Sequence, residues 1–258
     1  MIPEISIIIA AYNEEARLPA SLIKINRYLA ARNFAAEIIV VDDGSSDGTA
    51  PATQALVNSI SGLRLIRYDK NRGKGYALRT GVLVSRGRFV LLSDADLSTP
   101  IEELNSLMKF IVEDSFHVAI GSRALTLSRI EESQPWWRQG MGKIFNRIVK
   151  LLVIDDFSDT QCGFKLFTGE TARLLFSEAR IDRFAYDVEI LALAKKYGYR
   201  IAEVPITWIN SPGSKVDPVK DSLLMLKDLY RIRRSVGAVK MSRSLECRKS
   251  CTHPENEA

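Results

Sequence analysis

The chain has 258 residues, 46% of them hydrophobic and 26% charged, with a formal net charge of +5. That balance suits one sizeable α/β unit with a small C-terminal elaboration and excludes a chain that is disordered through most of its length. The positive excess fits an anionic partner such as a nucleotide, a lipid phosphate or a phospholipid surface, but it is too weak to imply nucleic acid, and no nucleic-acid motif occurs.

In chain order, Ile5 to Ala11 is a continuous apolar run, the pattern of a strand buried on both faces. A helix is expected over 14–33, a strand over 37–43, and a helix capped by Asp47 and continuing to about Ile60. A strand over 63–68, a helix over 74–85, a strand over 88–94, a helix from Pro100 and a strand over 117–123 complete the first half. Such alternation implies a mainly parallel sheet with right-handed crossovers.

The second half is less regular. Residues 136–154 read as an amphipathic helix with Met141, Ile144, Phe145, Ile148, Val149 and Leu152 on one face and Lys143, Asn146, Arg147 and Lys150 on the other. That stripe either packs in the core or, with Trp136 and Trp137 at its head, lies in a membrane interface. A strand at 163–167, a helix over 187–197 ended by Gly198, a strand over 200–208 with Pro205 marking an edge, and an amphipathic helix over 218–236 follow. Disorder is expected for 241–258. The three cysteines, Cys162, Cys247 and Cys251, make no disulfide framework and point to a reducing cytosol. Cys247, Cys251 and His253 read as a solvated tail rather than a metal site. No signal peptide is expected, and no apolar run nears the roughly 18 residues that span a bilayer.

The acids cluster by position. Tyr12-Asn13-Glu14, Asp42-Asp43 and Asp94-Ala95-Asp96 all fall at the carboxyl ends of expected strands, where open α/β sheets hold their ligands. Two carboxylates one residue apart at a strand end suit a hard divalent cation, magnesium or manganese, that shares its oxygen ligands with a substrate diphosphate. Lys74 stands between two glycines, either near a phosphate or as a solvated lysine at a helix start.

Ala11-Tyr12-Asn13-Glu14-Glu15, Val40-Val41-Asp42-Asp43-Gly44-Ser45, Asn71-Arg72-Gly73-Lys74-Gly75 and Ser93-Asp94-Ala95-Asp96 occur in order. This set resembles the family 2 glycosyltransferases, with an A-type fold whose Rossmann-like, mainly parallel sheet is flanked by helices and followed by C-terminal amphipathic helices. Gly121-Ser122-Arg123 and Asp159-Thr160-Gln161-Cys162-Gly163-Phe164-Lys165 narrow the match to the branch that glycosylates dolichyl or other polyprenyl phosphates, closest to the glucosyl type.

The resemblance implies inverting transfer of a hexose to a polyprenyl phosphate, from UDP-glucose in preference to GDP-mannose, with a divalent metal. It implies one catalytic domain over 1–240: a donor half to about 125 and an acceptor- and membrane-facing half beyond. Ala11, Tyr12, Glu14, Asp42, Asp43, Lys74, Asp94 and Ala95 would line the nucleotide-sugar pocket. Asp96, Asp94 and Ser98 would hold the metal. Arg123 and Arg138 would meet phosphates, with Lys165 and Asp187 toward the acceptor. The protein would work at the cytoplasmic face of a membrane, on the lipid surface or docked to a membrane-embedded partner. Ala11 stands where the family usually has Pro, and Ser98 where the mannosyl branch has Gln.

The residues themselves agree. A lipid phosphate is already anionic and needs cations beside it, not a base. A Rossmann dehydrogenase would need a Gly-rich turn after its first strand, and neither that nor a P-loop is present. Nor is there the Gly-rich, Arg-containing N-terminal loop of a sugar nucleotidyltransferase. The alternatives that stay open are the same fold acting on a hydroxyl acceptor, with Asp187 as base, and a non-catalytic nucleotide-sugar-binding scaffold.

Overall fold

The apolar run near the start forms β1 (Ile5–Ala11), flanked by β2 (Ala36–Asp43) and β4 (Phe89–Asp94), with β3 (Leu63–Tyr68) outside β2. All three pairings are parallel. The computed structural model describes residues 2–132, 136–211 and 220–238, with the backbone alone for 132, 136–139, 141–144, 220–223 and 237–238.

Because successive side chains on a strand point to opposite faces, each central strand feeds two cores. Ile7, Ile9, Ile38, Val40 and Leu91 pack on α1 (Leu18–Ala31) and α4 (Leu104–Val112). Ile8, Ile39, Val41, Val90 and Leu92 face α3 (Lys74–Leu83) and the helices of the second half. Between them, α2 (Thr49–Leu56) links β2 to β3, and a 3-10 turn at Ile101–Glu103 leads from Pro100 into α4.

Beyond β5 (Val118–Ser122) come β6 (Arg129–Glu132), α5 (Trp136–Leu152), β7 (Lys165–Thr168), α6 (Gly169–Glu178), α7 (Tyr186–Lys196), β8 (Ile201–Pro205), β9 (Thr207–Ile209) and α8 (Lys220–Ala238). The described strands make a seven-stranded sheet in the order β3-β2-β1-β4-β7-β5-β8 and a two-stranded ribbon of β6 and β9. β7 runs antiparallel to both neighbours, so the sheet is mixed on that side. β8 is an edge strand, where the missing N–H of Pro205 does least harm.

The expected elements shift in places. α1 starts at Leu18 because Glu14 to Arg17 form a turn tied to the β2–α2 loop. The strand expected at 200–208 breaks at Ile206 and divides between the two sheets. β6 and α6 were not expected. In α5, Phe145 and Val149 are buried and Ile148 and Leu152 pack beside them, so this half of the stripe belongs to the core. The side chains of Trp136 and Trp137, and the tail expected to be disordered, lie outside the described residues, as do Cys247, Cys251 and His253. Met225, Leu229 and Ile232 bury one face of α8 in the same core.

Candidate active site

β1, β2 and β4 are parallel neighbours, so their carboxyl ends lie side by side and the loops after them form one edge. The first two loops are knitted together. Asn13, held at φ 55°, accepts from the Ser46 amide through Oδ1, and its own amide donates to Ser45 Oγ. The Glu14 amide donates to Thr49 Oγ1, and Glu15 accepts from the Gly48 amide. Tyr12 remains exposed beside this seam, and Ala11 is buried at the strand end.

Asp42 and Asp43 are both buried but are used differently. Asp43 accepts from the amides of Arg72 (2.7 Å) and Gly73 (2.8 Å) and from Asn71 Nδ2 (2.9 Å), so its carboxylate shapes the loop that presents Lys74. Gly73 has φ 106°, a conformation that favours glycine. Asp42 accepts from the Ser45 amide through Oδ1, while Oδ2 lies 3.3 Å from Arg67 Nε with no hydrogen bond. Of the two, Asp42 has the free acceptor.

The Asp-Ala-Asp run carries two carboxylates, each with a resident cation. Lys74 Nζ donates to Asp94 Oδ1 at 2.5 Å. Asp96 takes the Ser98 amide on Oδ1 (3.0 Å) and Arg17 Nη1 on Oδ2 (3.3 Å), and Leu97 is held at φ 48° between them. Ala95 is buried, and the Ser98 side chain is largely buried. Desolvation works against charge on Asp94, but Lys74, then Lys165 and Arg123, outweigh it and hold the carboxyl below its ordinary range. Desolvation likewise opposes the Lys74 ammonium, and Asp94, Asp187 and Asp96 outweigh it, so its pKa is raised.

Arg123 grips Asp159 through Nε (2.6 Å) and Nη2 (2.9 Å), a two-point fork, and Glu203 accepts from the Ser158 and Asp159 amides behind it. The fork outweighs desolvation and depresses the Asp159 carboxyl. Arg123 keeps about a third of its side chain open, at 30%.

Lys165 and Asp187 need correction as acceptor-facing groups. Lys165 is 1% and Asp187 4% exposed, and Lys165 Nζ donates to Asp187 and to the Cys162 carbonyl. The strand that carries Lys165 is interior to the sheet and has a core on each face, Leu166 in one and Phe167 in the other, so a side chain on either face is enclosed. Burial, only partly offset by Lys165 and Lys74, pushes the Asp187 carboxyl up. The backbone of Arg138 lies in α5, and its side chain is outside the described residues.

The site thus gathers Tyr12, Glu14, Asp42, Lys74, Asp94, Asp96 and Arg123 around one sheet edge. Arg17 had no motif to announce it and is visible in sequence only as a cation three places after Glu14, while Asp159 and Gly163 stand in the matched run 159–165 but were given no role there. A Cβ on Gly163 would sit 2.5 Å from Asp94 Cγ, so Gly163 leaves the room that Asp94 occupies.

Residues 6–168 match the family model described as glycosyl transferase family 2. The chain belongs to that family. It is 40% identical over 240 residues to a dolichyl-phosphate β-glucosyltransferase of Dictyostelium discoideum, covering 89% of this chain and 73% of that protein. It is 35% identical to the human dolichyl-phosphate β-glucosyltransferase, covering 93% and 79%. Against the Saccharomyces cerevisiae protein of the same name, identity is 33%, covering 89% and 74%. This family 2 chain is therefore a glycosyltransferase of the dolichyl-phosphate glucosyltransferase branch. Its fold matches mannosyl-3-phosphoglycerate synthase from Rubrobacter xylanophilus with a TM-score of 0.69 at 19% identity, covering 93% of this chain and 77% of that one. It also matches glucosyl-3-phosphoglycerate synthase from Mycobacterium tuberculosis, in complex with Mn2+, UDP and glucosyl-3-phosphoglycerate. There the TM-score is 0.66 at 16% identity, covering 93% and 82%. Both matches define the A-type glycosyltransferase fold.

Proposed function

We propose that this glycosyltransferase moves glucose from UDP-glucose to a dolichyl or related polyprenyl phosphate, with inversion at the anomeric carbon. The observation that carries the reading is the burial of Asp187 against Lys165. A hydroxyl acceptor needs a base at hand, and the acid expected to serve is closed off behind the site. A phosphate monoester needs only positive charge. Its oxygen attacks the anomeric carbon on one face while the bond to the nucleoside diphosphate breaks on the other.

Each side chain has a part in that displacement. Asp42 Oδ2 accepts from the base, and Tyr12 and Glu14 border the nucleoside. Asp43 holds the loop that aims Lys74 at the diphosphate. Arg123, fixed by Asp159, draws in phosphate oxygens, with Arg138 as a second such cation. Among the described residues no group of three His, Cys, Asp or Glu side chains is placed to hold a metal unaided. Asp94 and Asp96 nevertheless fit magnesium or manganese, because such ions take few carboxylates and complete their shell with phosphate oxygens and water. Ser98 supplies one more oxygen nearby. The ion, when bound, supplies charge that stabilises the departing diphosphate.

No helix among the described residues is long and apolar enough to cross a membrane. On this reading the acceptor phosphate is presented at the cytoplasmic surface of a bilayer, directly or by a membrane-embedded partner. The test is a donor screen. Protein, Mg2+ or Mn2+ and a polyprenyl phosphate are incubated with labelled UDP-glucose or GDP-mannose, and the label extracted into acid-labile lipid is counted. Label from UDP-glucose, lost in Asp96→Ala, is expected. Label from GDP-mannose alone would overturn the donor assignment.

A further inference from the structure

Arg17 closes the β1–α1 turn, and its guanidinium holds Glu14 and Asp96 unequally. Nε and Nη2 fork onto Glu14 at 2.7 and 2.6 Å, the short distances of charge-assisted bonds. Nη1 reaches Asp96 Oδ2 and the Ser211 hydroxyl, each at 3.3 Å, the long end of the range. The side chains of Arg17, Glu14 and Asp96 are 22%, 10% and 19% exposed, so these charges meet with little water between them. Each aspartate of the run is therefore already balanced, Asp94 by Lys74 and Asp96 by Arg17. A bare divalent cation arriving at such a site gains little, because it must displace a cation. A cation arriving with a diphosphate brings the extra negative charge that makes the exchange favourable.

We propose that Arg17 is a built-in counter-ion for Asp96, anchored on Glu14 and released from Asp96 only when the cation arrives with the donor diphosphate, which makes cation affinity depend on donor. The inference rests on the metal-assisted donor reading above. The dependence is reciprocal, so the cation raises nucleotide affinity by the same factor. Arg17 is a positioning residue here: it sets the state of Asp96 before catalysis.

The experiment titrates Mn2+ into the full chain with and without UDP, following the electron paramagnetic resonance of the free ion. Wild type is expected to bind Mn2+ weakly alone and more tightly with UDP. Arg17→Gln and Arg17→Met are expected to bind Mn2+ alone about fivefold more tightly, the scale of one partly exposed ion pair. The tightening by UDP shrinks to match. Arg64→Gln, which removes the same charge from the distant pair with Glu37, leaves both values unchanged. Arg17→Lys keeps the charge without the fork and covers the case in which the neutral variants do not fold; it is expected to fall between. Arg17 variants with wild-type Mn2+ affinity and wild-type UDP coupling would overturn the inference and leave the donor reading standing. Wild type that binds no Mn2+ even with UDP would overturn both.

Discussion

At Asp94 the folded chain concentrates charge and close packing on one carboxylate. The backbone of Gly163 lies against it, and Lys74 neutralises it. Gly163→Ala is expected to keep the fold and lower kcat/KM for transfer at least about tenfold, since a misplacement of about 1 Å near the reacting groups is that costly; unchanged circular dichroism with lost turnover is the check. The ion pair also has a pH signature. The Asp94 pKa is lowered from 3.8, so its contribution to stability is present above that value and lost as pH falls through the depressed one. The Lys74 pKa is raised from 10.5, so its contribution is present below that value and lost as pH rises beyond it. Lys74→Met should therefore cost most stability between about pH 4 and 10 and progressively less toward strong acid, as read by urea unfolding at each pH. At this scale the acids were legible because they follow buried strands. Arg17, and the pairing of Asp159 with Arg123, were not, because an ion pair across loops leaves no spacing in the sequence.

Strand β7 and helix α7 are joined through the buried pair of Lys165 and Asp187. Lys165→Met strands a buried carboxylate and is expected to cost about 3–5 kcal/mol in urea unfolding. The double change Lys165→Met with Asp187→Leu removes both charges and is expected to recover most of that loss. A double variant as unstable as the single one would mean that the pair contributes through packing alone. The elements themselves were legible where apolar periodicity is strong, as in β1, β2 and β4. α6 was not: it begins at Gly169 directly after β7 and mixes Arg173, Glu170 and Thr171 into its turns. β6 spans only four residues and pairs with β9, a partner far along the chain. Apolar residues recur from 201 to 209, with only Glu203, Pro205 and Thr207 between them, and this strand-like run concealed the switch of sheets at Ile206.

Across the whole molecule, the parallel half of the sheet was legible from strand–helix alternation, whereas the antiparallel entry of β7 between β4 and β5 was not, because chain direction leaves no mark on a four-residue strand. A net charge of +5 and the exposed Arg231, Arg233 and Arg234 on α8 favour an anionic bilayer. Binding to phosphatidylserine vesicles is expected to fall several-fold between low salt and 0.5 M NaCl, as sedimentation would show; salt-independent binding would point to apolar insertion instead.

The most direct measurement concerns the acceptor. Labelled UDP-glucose, Mn2+ and the full chain are incubated in parallel with a polyprenyl phosphate and with the polyprenol of the same length, and the lipid-linked label is compared. Transfer to the phosphate with none to the alcohol is expected, because the site offers cations at its front and keeps Asp187 behind Lys165. Transfer to the alcohol at a comparable rate would contradict it, and would require a base that Asp187, as placed, does not provide.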